Sequence, residues 1–314
     1  MKNSNQGSWG NWQKGIVWAL LSPLFLGITP ILAKIAYLYG ADVYTVAAFR
    51  TIAAALLLWV TILLFAPHLI RTSSIAVLSS LLAGSINGLG SLFYYNSLNL
   101  IDASLGQLIN ITYLVFVTVL LRLIGQQISR LTLLRTAVAI IAVYLLTVGG
   151  LGEPDWLGVI FMLIAAFSYA VQLVLSQRIL RDIPAPTMTL YAMTGMAGVV
   201  TAAWLIVQPS LTPLATQSWV AIGIMGVATA MARLTMFLGV KQLGSLQTAL
   251  LGIAEVLVSI FFAVLLLGEQ LTAVQWLGAL LITITVLLVK YERNLPNFDW
   301  WSLAYKRLAQ RKKK

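Results

Sequence analysis

The sequence has no cysteine and a single histidine, His68, and only 9% of its 314 residues are charged. Without cysteine there is no disulfide framework, no thiolate metal site and no cysteine nucleophile. The shortage of charge excludes more. A typical soluble domain carries about 25% charged residues, and a chain with far fewer cannot cover its surface in water. What is present instead is apolar: 60% of the residues are hydrophobic and the mean hydropathy is +0.92. Those figures describe a protein whose main solvent is lipid. Also missing are a phosphate-binding glycine loop and, within the apolar runs, paired carboxylates or metal-spaced ligands. These absences argue against an ATP-driven pump in a single chain. They also argue against the rival class, a membrane-embedded enzyme on lipid-linked substrates, so neither a cofactor nor a metal is expected.

The net charge of +11 would suggest nucleic acid if the basic residues shared one soluble face. Most stand singly between apolar runs, so no nucleic-acid partner is expected. Membrane lipids are.

About 20 apolar residues cross a hydrocarbon core of roughly 30 Å. Ten such runs can be marked, at 15–39, 43–65, 74–98, 102–124, 131–148, 154–179, 186–207, 216–240, 245–267 and 271–291. The expected fold is an all-α membrane protein of ten transmembrane helices, with residues 1–14 as a short N-terminal extension. If the N-terminus is cytoplasmic, 17 of the 20 basic residues fall on the cytoplasmic side. The opposite loops carry Asp42, Asp102, Glu153, Asp155 and Glu269. The positive-inside rule then places both termini in the cytoplasm. Residues 292–314 end in a basic block, and from Phe298 onward Trp300, Leu303, Ala304, Arg307 and Leu308 recur at helical spacing. This reads as an amphipathic helix on the inner leaflet, with a disordered basic tail as the alternative.

The chain also matches itself without gaps at a shift of 143 residues. Gly15 meets Gly158, Leu100 meets Leu243, Leu114-Val115 meets Leu257-Val258, and Gly125-Gln126-Gln127 meets Gly268-Glu269-Gln270. Every expected span falls on a counterpart, which divides the chain into repeats at 15–148 and 154–291. Each repeat holds five spans, an odd number, so the second enters the membrane inverted. The charges agree: Arg122, Arg130 and Arg135 align with Leu265, Ala273 and Gly278. Two inverted five-helix repeats are an architecture of secondary transporters, with a substrate site near the midplane and alternating access by rocking.

The stretch from Ile31 to Trp59, with Lys34 and with Arg50 in Ala-Phe-Arg, resembles the EamA family of the drug/metabolite transporter superfamily. So do Gly268-Glu269-Gln270-Leu271-Thr272 and Gln275-Trp276-Leu277-Gly278. The resemblance runs from about residue 15 to 290. It implies ten helices in two inverted repeats, in a bacterial inner membrane, commonly exporting amino acids or other small metabolites. The family often has proline in the fourth and ninth helices. Here Tyr113 follows Thr112 and Val256 follows Glu255, so a proline kink is not expected at either place.

Glu255 lies about ten residues into the ninth span, some 15 Å deep at about 1.5 Å per residue. A carboxylate at that depth costs on the order of 3 kcal/mol and usually faces a cavity, relays protons or binds ligand. Arg233, in the eighth span, has two readings: an ion pair with Glu255, or snorkelling to the interface. Lys34 and Arg50, near the outer ends of the first two spans, would together form an electropositive outer vestibule, with snorkelling as the simpler account. Gly84, Asn87, Ser91 and Tyr94 share one face of the third span. Gln107, Asn110 and Tyr113 cluster on the fourth, and Ser168, Tyr169, Gln172 and Ser176 on the sixth. Such polar stripes either line a cavity or hydrogen-bond between helices, and glycines on them allow close packing. Pro23 and Pro30 should bend the first helix and are candidate gating residues.

The expected function is secondary transport of a small metabolite, an amino acid or similar amphipathic compound, by export through alternating access. Protons are the candidate coupling ion through Glu255, and the protein is expected as a monomer or homodimer. A lipid-carrier or nucleotide-sugar translocator of the same superfamily is the alternative.

Overall fold

A computed structural model describes residues 4–101, 103–126, 128–147, 155–207, 214–267 and 273–288. Among them every regular element is helical. In chain order the α-helices are α1 (Ser4–Leu26), α2 (Thr29–Leu38), α3 (Val43–Phe65), α4 (Ser74–Leu100), α5 (Ala103–Asn110), α6 (Tyr113–Leu123) and α7 (Arg130–Thr147), with a short 3-10 helix at Pro67–Ile70 between α3 and α4. After them come α8 (Trp156–Ile179), α9 (Ala185–Val207), α10 (Thr216–Leu243), α11 (Ser245–Gly252), α12 (Ala254–Leu267) and α13 (Ala273–Leu287). Among the described residues, seven helical stretches are long and apolar enough to cross a membrane. The first helix begins at Ser4, well before the apolar run that starts at 15. The basic tail from 292, with its amphipathic pattern, lies outside the described residues, as do Asp102, Glu153 and Glu269.

Local sequence sets the helix ends. Asp42 accepts from the Thr45 N–H at 2.9 Å to cap α3, and Ser73 accepts from Ala76 at 3.3 Å to cap α4. Asp155 accepts from Leu157 at 2.8 Å and starts α8. Two of the acidic loop residues are therefore N-caps that satisfy free amides at helix starts. Gly244 alone separates α10 from α11, at φ +86°, a left-handed conformation that strains residues with a Cβ.

Three of the spans expected from sequence are interrupted. The first breaks at 27–28, between Pro23 and Pro30. Pro30 has no N–H to offer the Leu26 carbonyl, and the Thr29 hydroxyl donates to it instead at 2.7 Å. The Gly27 carbonyl receives the Ser259 hydroxyl of α12 at 2.8 Å. The other two breaks have no proline. One falls at 111–112 between α5 and α6, the other at 253 between α11 and α12. The first is tightened by a three-residue turn, Leu114 N–H to Ile111 O at 2.9 Å, and the second by Val256 N–H to Ile253 O at 3.0 Å. The missing prolines thus do not leave these helices straight.

The exterior is apolar and the interior holds the polar groups. Phe65 and Ile206 are each 81% exposed, whereas Gln107, Gln172, Asn87 and Thr229 are buried. That is the reverse of a soluble protein and suits a lipid surround. The most extensive helix pairings join the two halves of the chain: α4 with α8 and α9, α1 with α10, α3 with α9 and α10, and α7 with α13. Shifting each helix to its counterpart 143 residues away turns α4 with α8 into α10 with α1, and α4 with α9 into α10 with α3. The pattern maps onto itself. Along α4 and α9 the contact is backbone to backbone. A Cβ on Gly84 would lie 1.9 Å from the Ala192 carbonyl oxygen, and one on Gly195 would lie 2.3 Å from that of Leu81. Close packing is therefore the role of Gly84, as small residues permit in membranes.

Candidate functional site

Two apolar clusters occupy opposite ends of the bundle. One contains Ala83, Leu173, Met236, Phe237, Val240 and Leu250, from the start of α4, the end of α8, the end of α10 and α11. The other contains Ala36, Val46, Tyr95, Leu98, Met162 and Ile222, from α2, the start of α3, the end of α4 and the starts of α8 and α10. Of the long helices, α4, α8 and α10 pass through both, and α4 and α10 turn polar between them. On α10, Thr229 and Arg233 separate Met225 from Met236. On α4, Asn87 and Ser91 separate Ala83 from Tyr95.

The polar residues surround a cavity of about 510 Å³, part of it open to solvent. From the first half it is lined by Leu26 and Thr29 beside the first break, Arg50 on α3, Asn87, Gly90, Ser91, Tyr94 and Tyr95 on α4, and Asn110 at the end of α5. The second half adds Ala165 and Tyr169 on α8, Arg233 on α10 and Glu255 at the start of α12. The breaks matter here because they bring helix ends to the cavity wall. Glu255 sits in the first turn of α12, where the helix dipole favours a negative charge.

The two arginines are held alike. Arg50, 4% exposed, donates from Nη1 to Thr229 Oγ1 at 3.0 Å and from Nη2 to Ser91 Oγ at 2.8 Å. Its Cζ lies 4.4 Å from the centre of the Tyr95 ring. Arg233, 7% exposed, donates from Nη1 to Gln172 Oε1 at 3.2 Å, and its Cζ lies 5.3 Å from the centre of the Tyr169 ring. Cation–π contact and neutral hydrogen bonds lower the cost of burying each guanidinium. In both, the buried Nε has no partner. Glu255 Oε1 accepts from Gln107 Nε2 at 3.3 Å, and the same nitrogen lies 3.0 Å from Tyr94 Oη.

Eight of the residues singled out from sequence therefore meet in one place: Arg50, Asn87, Ser91, Tyr94, Asn110, Tyr169, Arg233 and Glu255. Gln107 and Gln172 stand behind them, each holding a charged group. Other expectations need correction. Arg233 and Glu255 share the cavity but form no ion pair: Arg233 donates to Gln172 and Glu255 accepts from Gln107. Nor does Arg233 snorkel; it is buried. Lys34 and Arg50 do not build a common outer vestibule: Arg50 turns into the cavity, while Lys34 Nζ donates to the Ile101 carbonyl at 3.0 Å, beyond the end of α4. Tyr113 does not line the cavity either. Its hydroxyl donates to the Ala249 carbonyl at 2.9 Å and its ring meets Tyr169 edge-on at 4.9 Å. Pro23 and Pro30 flank the first break rather than the cavity. Sequence reasoning passed over Thr229 and Tyr95. Thr229 stands four residues before Arg233 and so shares its helical face, and Tyr95 follows Tyr94; both signals were there.

Helices that carry apolar side chains outward and enclose a charged cavity define a multi-pass membrane protein. Residues 13–148 and 156–291 each match the EamA-like transporter family. The chain belongs to that family and is a transporter of the drug/metabolite type. The two matched blocks begin and end 143 residues apart, the shift at which the sequence repeats. Over 277 residues the chain is 24% identical to the uncharacterized transporter YcbK of Bacillus subtilis (strain 168), covering 84% of this chain and 88% of that one. A solved crystal structure matches with a TM-score of 0.71 and 15% identity, covering 89% of this chain and 97% of the other. At that identity the likeness concerns the fold alone.

Proposed function

We propose that the protein is a secondary transporter that exports a small metabolite, an amino acid or similar amphipathic compound, across the cytoplasmic membrane. Ten membrane-spanning helices form two inverted repeats of five, and both termini face the cytoplasm. The two family blocks, the pairing pattern that maps onto itself and the break that recurs in the fourth and ninth spans all support this arrangement. One observation carries the functional reading: a charged cavity, lined by both halves, lies between two apolar clusters at opposite ends of the bundle. Opening one cluster and closing the other would expose the cavity to each side in turn, as alternating access requires. Glu255 is the group for coupling to protons. The test is counterflow in proteoliposomes, comparing the protein with Glu255→Gln across a pH series. Carriage by the unaltered protein above empty vesicles is expected, with a flattened pH response in the variant. Unchanged carriage and pH response in Glu255→Gln would withdraw the role of Glu255.

A further inference from the structure

The charges around the cavity do not balance. Among the described residues, two guanidiniums, Arg50 and Arg233, and one carboxylate, Glu255, line it. Nothing anionic touches either arginine. Their donors go to Thr229, Ser91, Gln172 and the Met236 sulfur, and their cationic faces lie against tyrosine rings. Each keeps a buried Nε with no acceptor. Glu255 takes its hydrogen bond from an amide rather than from a guanidinium. A buried cation in a membrane protein is ordinarily compensated by a partner charge. With Glu255 ionised, one positive charge here remains over.

Guanidinium is planar and always charged, with several donors in a fixed fork, and its preferred partner is a carboxylate or another planar oxyanion. The two arginines come from opposite halves of the chain and reach the same space from different helices. An acidic group in that space would offset the excess positive charge and join the halves through the ligand.

We propose that the transported compound is a small organic acid of net charge −1, with its acidic group held between Arg50 and Arg233. The proposal rests on the transporter reading above and narrows its substrate class. An ammonium group, where the compound has one, is taken by Glu255. An acidic amino acid fits on both counts. A neutral zwitterion leaves the excess positive charge buried and binds less well.

Pairs of compounds with nearly the same shape and different charge test this: glutamate against glutamine, aspartate against asparagine, and lactate against lactamide. Each is titrated into the purified protein at fixed pH and ionic strength, with thermal stability as the readout and sodium chloride as control. Ligand binding to the folded form raises its apparent melting temperature. At least one acid is expected to bind about tenfold or more tightly than its amide, the scale of a charge-assisted hydrogen bond. Arg50→Gln and Arg233→Gln should each remove that difference. Arg50→Lys and Arg233→Lys, which keep the charge, should retain part of it and guard against a folding defect. A series in which every acid that binds is matched by its amide overturns the proposal, and so does one in which no acid stabilises the protein beyond the salt control. Counterflow of the compound that binds separates the two readings. An amide that binds and exchanges sinks the charge assignment alone. An acid that binds but fails to cross sinks the transport reading alone.

Discussion

The interruption between α5 and α6 and the one between α11 and α12 occupy matching places in the two halves, yet their loose backbone groups are satisfied differently. At the first, the Thr112 hydroxyl donates to the Ile109 carbonyl at 2.7 Å, and the Thr112 N–H reaches the same oxygen at 3.0 Å. Everything needed is local. At the second, the Ile253 N–H bonds to Leu251 O, and the Ala249 carbonyl receives the Tyr113 hydroxyl from the other half of the chain. The residue 143 positions after Thr112 is Glu255. Where the first half uses a self-contained hydroxyl, the second places a carboxylate on the cavity and borrows its cap from across the interface. The difference teaches that a helix break in the membrane can be private to its segment or shared, and that only the shared kind feels how the halves are arranged.

Substitutions can break that contrast. The largest effect is expected from Gly252→Ala, whose Cβ would lie 2.7 Å from the Tyr113 hydroxyl. Displacing the phenol leaves a buried carbonyl unmet, a loss of about 1–3 kcal/mol in stability, read as a lower melting temperature of the purified protein. Tyr113→Phe removes the same bond without the clash and should cost about as much or slightly less. Because both act on one contact, the double variant should be no worse than Gly252→Ala alone, to within about 0.5 kcal/mol. Full additivity would show that the two side chains act separately. Thr112→Val should have the smallest effect, under about 1 kcal/mol, since the Ile109 carbonyl keeps its backbone donor. A loss as large as that of Tyr113→Phe would erase the distinction between the two breaks.

Much of this was legible beforehand, and the limits have physical causes. Apolar run length located the helices: α3 and α9 lie at 43–65 and 185–207, against expected spans of 43–65 and 186–207. The depth of Glu255 and the scarcity of other buried charge pointed to the cavity, because a charge in lipid must face something polar. The breaks at 111–112 and 253 were not legible, since neither carries a proline and the three-residue turns there depend on packing. The orientation of long side chains was hidden for a similar reason. Arg50 and Lys34 stand at comparable depths in neighbouring spans, and only the presence of Thr229, Ser91 and Tyr95 on other helices turns Arg50 inward. For Arg233 the sequence leaves two readings, an ion pair with Glu255 or snorkelling, because its neighbours on other helices are hidden; in the structure Arg233 donates to Gln172 and Glu255 accepts from Gln107.

The seam between α4 and α9 has a mechanical consequence. With Gly84 seated on the Ala192 backbone and Gly195 on that of Leu81, backbone meets backbone at these two points with no side chain between. In the proposed cycle this line is the axle, and displacement grows with distance from it. A cysteine cross-link placed along the axle, in a chain with no cysteine of its own, should let carriage continue. One tying α1 to α12, where Ser259 holds the Gly27 carbonyl, should stop it.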